Sequence, residues 1–525
     1  MVETNLIPGD GGIGLYNDMT AVFLQVASPF VGYQQKLPEL ETKNSATEAQ
    51  AMAKDIRQAA EGVSSGGSAL ETLQNASESL QSLAPLVFPA AEGAIARFEL
   101  LNGGYAATNA LSAVDKLLSG QAGELAIAIH TLSAVMTADE KQLADNFDEQ
   151  HVLCALEVLK VAGSFRRDMR SFEDKSRERL AILKERMAAH AVQTNKVKEA
   201  SLTTSPTTGK GSYMLPDSLS VVDIDSFLTE VVCGDTDTVA AAGASSVAVL
   251  QRLTTDVSIP LYPEAGEATR RLANSCHSFV FDVCSSVPRY NLTAMSSMSS
   301  WKEDAGDDNL ASYGTLPQSY ITQIGEHMLS LVQALEPFAS DLNALALANE
   351  VMDGLRDVAV RPWRDFLDAS GSSNPERVIG TFMDGKDLSA LVLGYTEIEE
   401  DEDEEEEDET AKLSSAFCNA WLDVVGLAVA GRLLERVMRI PTLTPKGSEH
   451  LNADLNYLVN VFSALGVSGH PHPLLGHIAE IALLSGEDLA QQMEQRDRSD
   501  PLQKSLLLIE ERVAAIRGIS ASYSY

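Results

Sequence analysis

The stretch from Asn146 to His190, NFDEQHVLCALEVLKVAGSFRRDMRSFEDKSRERLAILKERMAAH, decides how the chain is read. Val152, Leu156 and Leu159, then Phe165, Met169 and Phe172, then Leu180, Leu183 and Met187 recur every three or four residues, the spacing of one helix face. Between them stand Arg166, Arg167, Asp168, Arg170, Glu173, Asp174, Lys175 and Arg177. One face is therefore built to be buried and the other to be wet.

The same period extends outward. Leu228, Val231, Val232, Val247, Leu250 and Leu253 precede Pro260, and Leu272, Phe279 and Val283 precede Pro288. Phe417, Trp421, Val424, Ala428 and Leu434 lead to a stop at Pro441, since proline cannot continue a helix. Ser448 is placed to cap a helix carrying Leu451, Leu455, Leu458, Phe462 and Leu465, with Gly466 where a left-handed C-cap belongs. Apolar/polar alternation over strand lengths is scarce. The expected fold is all-α, helical bundles in series. The expected boundaries are a flexible Gly-rich head at 1–17, bundles at 18–193 and 220–293, linkers at 194–219 and 294–315, and a C-terminal bundle at 316–525.

The formal net charge of −36 over 525 residues argues against nucleic acid as a partner, because phosphate backbones are held by Lys and Arg. It equally disfavours direct adsorption to an anionic membrane, so membrane association is expected to be indirect. Glu397 to Glu409 places twelve carboxylates in thirteen positions, a third of the imbalance, and is expected to be a disordered acidic insert. The amino terminus lacks a basic region followed by an apolar core, as a secretory signal would have. Phe417 to Gly431 is interrupted by Asn419 and Asp423 and falls short of the ~20 residues that span a bilayer. Five scattered cysteines fit reduced thiols. These features lead us to expect a soluble cytosolic protein.

Candidate chemistry is thin. Gly9-Asp10-Gly11-Gly12-Ile13-Gly14 satisfies the dinucleotide fingerprint formally, but no strand precedes it and no parallel-sheet pattern follows. Gly209-Lys210 fails as a phosphate loop, with Thr204 in place of the first glycine and Gly211 in place of the Ser or Thr. His470, His472 and His477 are close enough to share a zinc ion but lack a nearby cysteine or paired carboxylate. Cys276 and Cys284 fall two turns apart on one helix face and read as buried small apolar residues. His130, His151, His190, His277 and His327 have no partner of diagnostic spacing. No catalytic, cofactor-binding or metal-ligating residue is assigned, and an enzyme is not expected.

From Leu316 onward the chain resembles the seventh-subunit family of the conserved oligomeric Golgi complex, a multisubunit vesicle tether. Leu316-Pro317-Gln318-Ser319-Tyr320-Ile321-Thr322-Gln323-Ile324-Gly325-Glu326 carries the resemblance, continued by Leu329, Leu331 and Leu335-Glu336-Pro337-Phe338. It returns at Trp421-Leu422, at Ile440-Pro441-Thr442-Leu443-Thr444-Pro445, and most strongly from Asp454 to Gly466. Weaker similarity reaches back through 146–190 to about Asp18. The resemblance implies an elongated rod of stacked helical bundles and a non-enzymatic role in intra-Golgi retrograde transport, with indirect effects on Golgi glycosylation. It implies peripheral attachment on the cytoplasmic face of Golgi membranes, assembly with the fifth, sixth and eighth subunits, and contact with SNAREs and small GTPases. The resemblance further implies that family members carry a long amino-terminal region through which subunits bundle, and the stretches matched here are expected to correspond to the part that follows it. A helical-repeat adaptor of another cytosolic complex is the alternative.

Overall fold

The computed structural model describes residues 69–102, 107–137, 140–203, 247–303, 315–339, 341, 355, 361–366, 406–466 and 473–519, with isolated positions between 36 and 58. Among them there is no strand. The helices are α1 (Ala69–Leu83), α2 (Val87–Asn102), α3 (Ala107–Met136), α4 (Glu140–Asp145), α5 (Glu149–Thr203), α6 (Pro263–Cys284) and α7 (Ser286–Thr293). They continue with α8 (Ser319–Leu335), α9 (Glu406–Met438), α10 (Pro445–Leu465), α11 (Pro473–Leu483), α12 (Gly486–Glu494) and α13 (Pro501–Ile516). All-α is therefore the fold class.

Helix α5 contains the stretch on which the sequence reading rests. Val152, Leu156, Leu159, Phe165, Met169, Phe172 and Leu180 are buried, while Arg167, Arg170, Asp174 and Lys175 are exposed. The helix runs to Thr203, into the stretch expected to open a linker at 194. Residues 204–219 of that expected linker, the Gly-rich head, His470 and His472 lie outside the described residues. So do residues 397–405 of the acidic run; Glu406 to Glu409 begin α9.

Contacts divide the chain into two compact units. The first includes Leu83–Glu124 and Asp168–Thr269. Its aromatic centre is Phe172, whose ring lies 5.9 Å from Phe88 and 5.4 Å from Tyr262. Tyr262 donates to Ser176 Oγ at 2.9 Å, so its hydroxyl is satisfied although the residue is buried. Arg177 straps the segment before α6 onto α5, donating to the carbonyls of Leu253 (2.7 Å) and Ile259 (2.5 Å) and to Glu173 (2.7 Å). Asp115 of α3 accepts from the amides of Glu264 (3.2 Å) and Ala265 (2.7 Å), satisfying donors that the first turn of α6 leaves without an intrahelical partner.

The second unit includes Asp55–Ser82, Leu125–Arg167 and Arg270–Tyr525. Phe417–Met438 within α9 is long and apolar enough to cross a membrane by length and composition, because the helix continues past the Gly431–Arg432 junction where the sequence reading ended it. Of its most apolar window, 78% is buried against the protein, the burial of a core helix. Trp363 packs where a side chain at Gly431 would stand: a Cβ there would lie 2.6 Å from the indole, whose N–H donates to Leu427 O at 2.7 Å. Trp301, placed by the sequence reading in a polar linker, is instead fully buried within the 3-10 turn Ser299–Lys302. Its indole donates to Met295 O at 2.6 Å and its own carbonyl accepts from the Thr444 amide at 2.9 Å. The N-cap of α10 is Thr444, not Ser448: the Thr444 hydroxyl accepts from the Gly447 amide and Pro445 occupies the first helical position, leaving Ser448 buried inside the helix. Gly466 does close α10 in the left-handed conformation, at φ 65°.

Candidate functional site: helix junctions

The residues that carry the family resemblance meet in space. Asp454 of α10 is buried, and its carboxylate accepts from the Gln318 amide (2.7 Å), the Gln318 side chain (2.8 Å) and the Tyr320 hydroxyl (2.8 Å). Gln318 is the N-cap residue of α8. The carboxylate thus binds a helix start from another element, as Asp115 does in the first unit. Burial pushes the Asp454 pKa up, partly countered by these three donors, and burial beside Asp454 pushes the Tyr320 phenol well up. Further along the same pair of helices, a Cβ at Gly325 would stand 2.6 Å from the Tyr457 ring. The sequence stretches 316–326 and 454–466 are therefore two sides of one contact.

The other stretches join in the same way. Phe338 lies in the 3-10 turn Glu336–Phe338, with the Lys160 ammonium 4.4 Å from its ring centroid. Lys160 also pairs with Glu157 (3.0 Å) and Asp341 (3.1 Å), bringing α5 to the end of α8. Trp421 stacks on His277 at 5.6 Å between centroids and 8° between planes. A Cβ at Gly447 would collide with the Trp301 backbone, so the Thr444-Pro445 turn seats against that tryptophan.

The residues weighed for chemistry are placed as follows. His277 and His327 are buried, and burial lowers their pKa values to about 3 and about 4. His277 bonds Ala273 O at 2.9 Å, His327 bonds Cys284 O at 2.6 Å, and the Phe147 ring meets His327 edge-on at 4.8 Å. His151 is buried with its pKa lowered chiefly by desolvation, while His130 is exposed. Cys276 and Cys284 are buried free thiols, and burial raises the Cys284 pKa to about 12. Such thiols stay protonated near neutrality and are poor nucleophiles. His477 lies 3.1 Å from the fully buried Glu510, which also receives Gln492 and a two-point contact from Arg496. Burial alone would raise the Glu510 pKa; the bonds from His477 and Arg496 outweigh it and hold the carboxyl below its ordinary range. No group of three His, Cys, Asp or Glu side chains able to hold a metal occurs among the described residues.

Two helix-terminating arginines escape sequence reasoning. Arg512 of α13 donates to Met438 O (2.8 Å) at the end of α9, and Arg517 donates to Ile481 O (3.0 Å) and Leu484 O (2.7 Å) at the end of α11. Nothing local marks them, because each carbonyl belongs to a helix more than thirty residues away in sequence.

The fold and these junctions define a helical scaffold whose distinctive residues serve packing and helix termination. The model of the family described as Golgi complex component 7 (COG7) matches residues 16–355, so the chain belongs to that family. The conserved oligomeric Golgi complex subunit 7 of Arabidopsis thaliana is 24% identical over 468 residues, covering 84% of this chain and 47% of the relative. The human and rat proteins of the same name are 25% and 23% identical over 229 residues, covering 43% of this chain and 23% of each relative. The chain thus spans at most about half the length of these relatives. No solved structure matches it.

Proposed function

We propose that the chain is a non-enzymatic structural subunit of a Golgi vesicle-tethering complex that acts in intra-Golgi retrograde transport, and through it in Golgi glycosylation. The observation that carries this reading is the coincidence of two facts. The chain belongs to the COG7 family, and Gln318, Tyr320, Gly325, Thr444 and Asp454, from the stretches on which the resemblance is read, serve contacts between helices. Polar groups engaged in this way hold a shape, which is what a scaffold contributes.

Assembly with the fifth, sixth and eighth subunits, with SNAREs and small GTPases as further contacts, belongs to the same proposal. So does peripheral attachment at the cytoplasmic face of the Golgi through protein partners, which the net charge of −36 favours over direct adsorption to anionic lipid. Depleting the chain in its own cells should displace recycling Golgi glycosyltransferases and leave cell-surface glycans incompletely processed. Unchanged glycans and enzyme positions after complete depletion would contradict the proposal.

A further inference from the structure

Within the second unit, α6, α7 and α9 enclose with residues 361–365 a cavity of about 210 Å³. Its walls include the apolar Phe281, Leu292 and Val429; its charged lining is Arg289, Arg361, Arg432, Asp282 and Asp365. Asp282 is already engaged, accepting from Ser133 Oγ at 2.9 Å and lying 3.4 Å from Arg289.

Next to the cavity, the buried carboxylate of Glu435 faces three guanidiniums at once: Arg439, Arg436 at 3.3 Å and Arg432 at 3.8 Å. One carboxylate cannot neutralise three cations. The Arg432 Nε has no hydrogen-bond partner among the described residues, and the guanidinium pKa is lowered by burial first and by the adjacent Arg436 next. Five arginines against three carboxylates make this cluster cationic in a chain whose net charge is −36.

We propose that this cavity binds a phosphate monoester, carried by a soluble compound or by a lipid headgroup. A guanidinium presents a planar fork of donors that matches phosphate oxygens two at a time, and a dianion neutralises the local excess of about two positive charges. The recess is below the ~300–1,000 Å³ typical of pockets for drug-sized ligands, which suits one compact anionic group better than a peptide strand. The acidity of the rest of the chain repels large polyanions, so specificity for a small anion follows from the site's isolation.

The test titrates the full chain with glycerol 3-phosphate and, in parallel, floats it with phosphatidylcholine vesicles with or without phosphatidic acid. Saturable binding of the soluble phosphate, or flotation only when phosphatidic acid is present, is expected, and the responding arm identifies the source. Arg361 is exposed, so Arg361→Gln should keep the fold and weaken binding by about tenfold or more, the loss of one charge-assisted bond. Arg432→Gln, read alongside its circular dichroism melt, should weaken it further; if that variant unfolds, Arg361→Gln decides alone. The proposal is overturned if neither probe binds, if Arg361→Gln binds as the wild type does, or if a glutamate-rich peptide binds at these arginines while both phosphate probes fail.

Discussion

Asp454 shows how much a single residue does in this molecule. It holds Gln318 and Tyr320 through three hydrogen bonds. Replacing it by alanine strands a buried hydroxyl and a helix-end amide, and Asp454→Ala should lower stability by about 2–4 kcal/mol in urea unfolding. Tyr320→Phe, which removes one of the three donors to that carboxylate and leaves the two from Gln318, should cost about 1 kcal/mol. The acid side of the pH profile belongs to the histidines. His277 and His327 titrate in the folded chain at about 3 and about 4, below the ordinary 6.5, so the folded state binds fewer protons than the unfolded state. Their contribution is present above pH 6.5 and is lost as pH falls through the folded values. His277 alone accounts for roughly 3 kcal/mol of loss by pH 4. Replacing His277 by Phe, which can still stack on Trp421, should flatten the stability profile between pH 6.5 and 4; an unchanged slope would refute the assignment. Asp454 has the opposite sign: its raised pKa favours folding below about 3.8 and that contribution fades as pH rises through the folded value.

At the scale of elements, helix endings separate what local sequence encodes from what it does not. Gly466 was legible because a left-handed terminus selects glycine, and Gly466→Ala should cost about 1 kcal/mol. Gly476 lies inside α11 with open space where a Cβ would sit, so Gly476→Ala should stabilise by up to about 1 kcal/mol; thermal melts of the two variants should move in opposite directions. The sequence reading starts α10 at Ser448, yet Pro445 occupies its first turn, where no amide hydrogen bond is needed, and Thr444 caps it. The periodic apolar faces of α5, α9 and α10 were legible for the reason that burial selects them. Arg517 was not, since its two acceptors end a distant helix. Arg517→Ala should destabilise by about 1.5–3 kcal/mol, with hydrogen-exchange protection lost first at the end of α11.

At the scale of the whole molecule, charge and periodicity sufficed for the class: acidic, helical and without a diagnostic catalytic motif. The family resemblance came from stretches far apart in sequence whose common purpose appears only when 316–326 and 454–466 are seen as two faces of one contact. The arginine cluster was illegible for the same reason, because Arg289, Arg361 and Arg432 are separated along the chain and converge only through packing. A scaffold of this kind should be recovered from its cells with its assembly. Affinity purification of the tagged chain, followed by mass spectrometry, should return other subunits of a Golgi tethering complex in stoichiometric amounts; recovery of the intact chain without any of them would contradict the account.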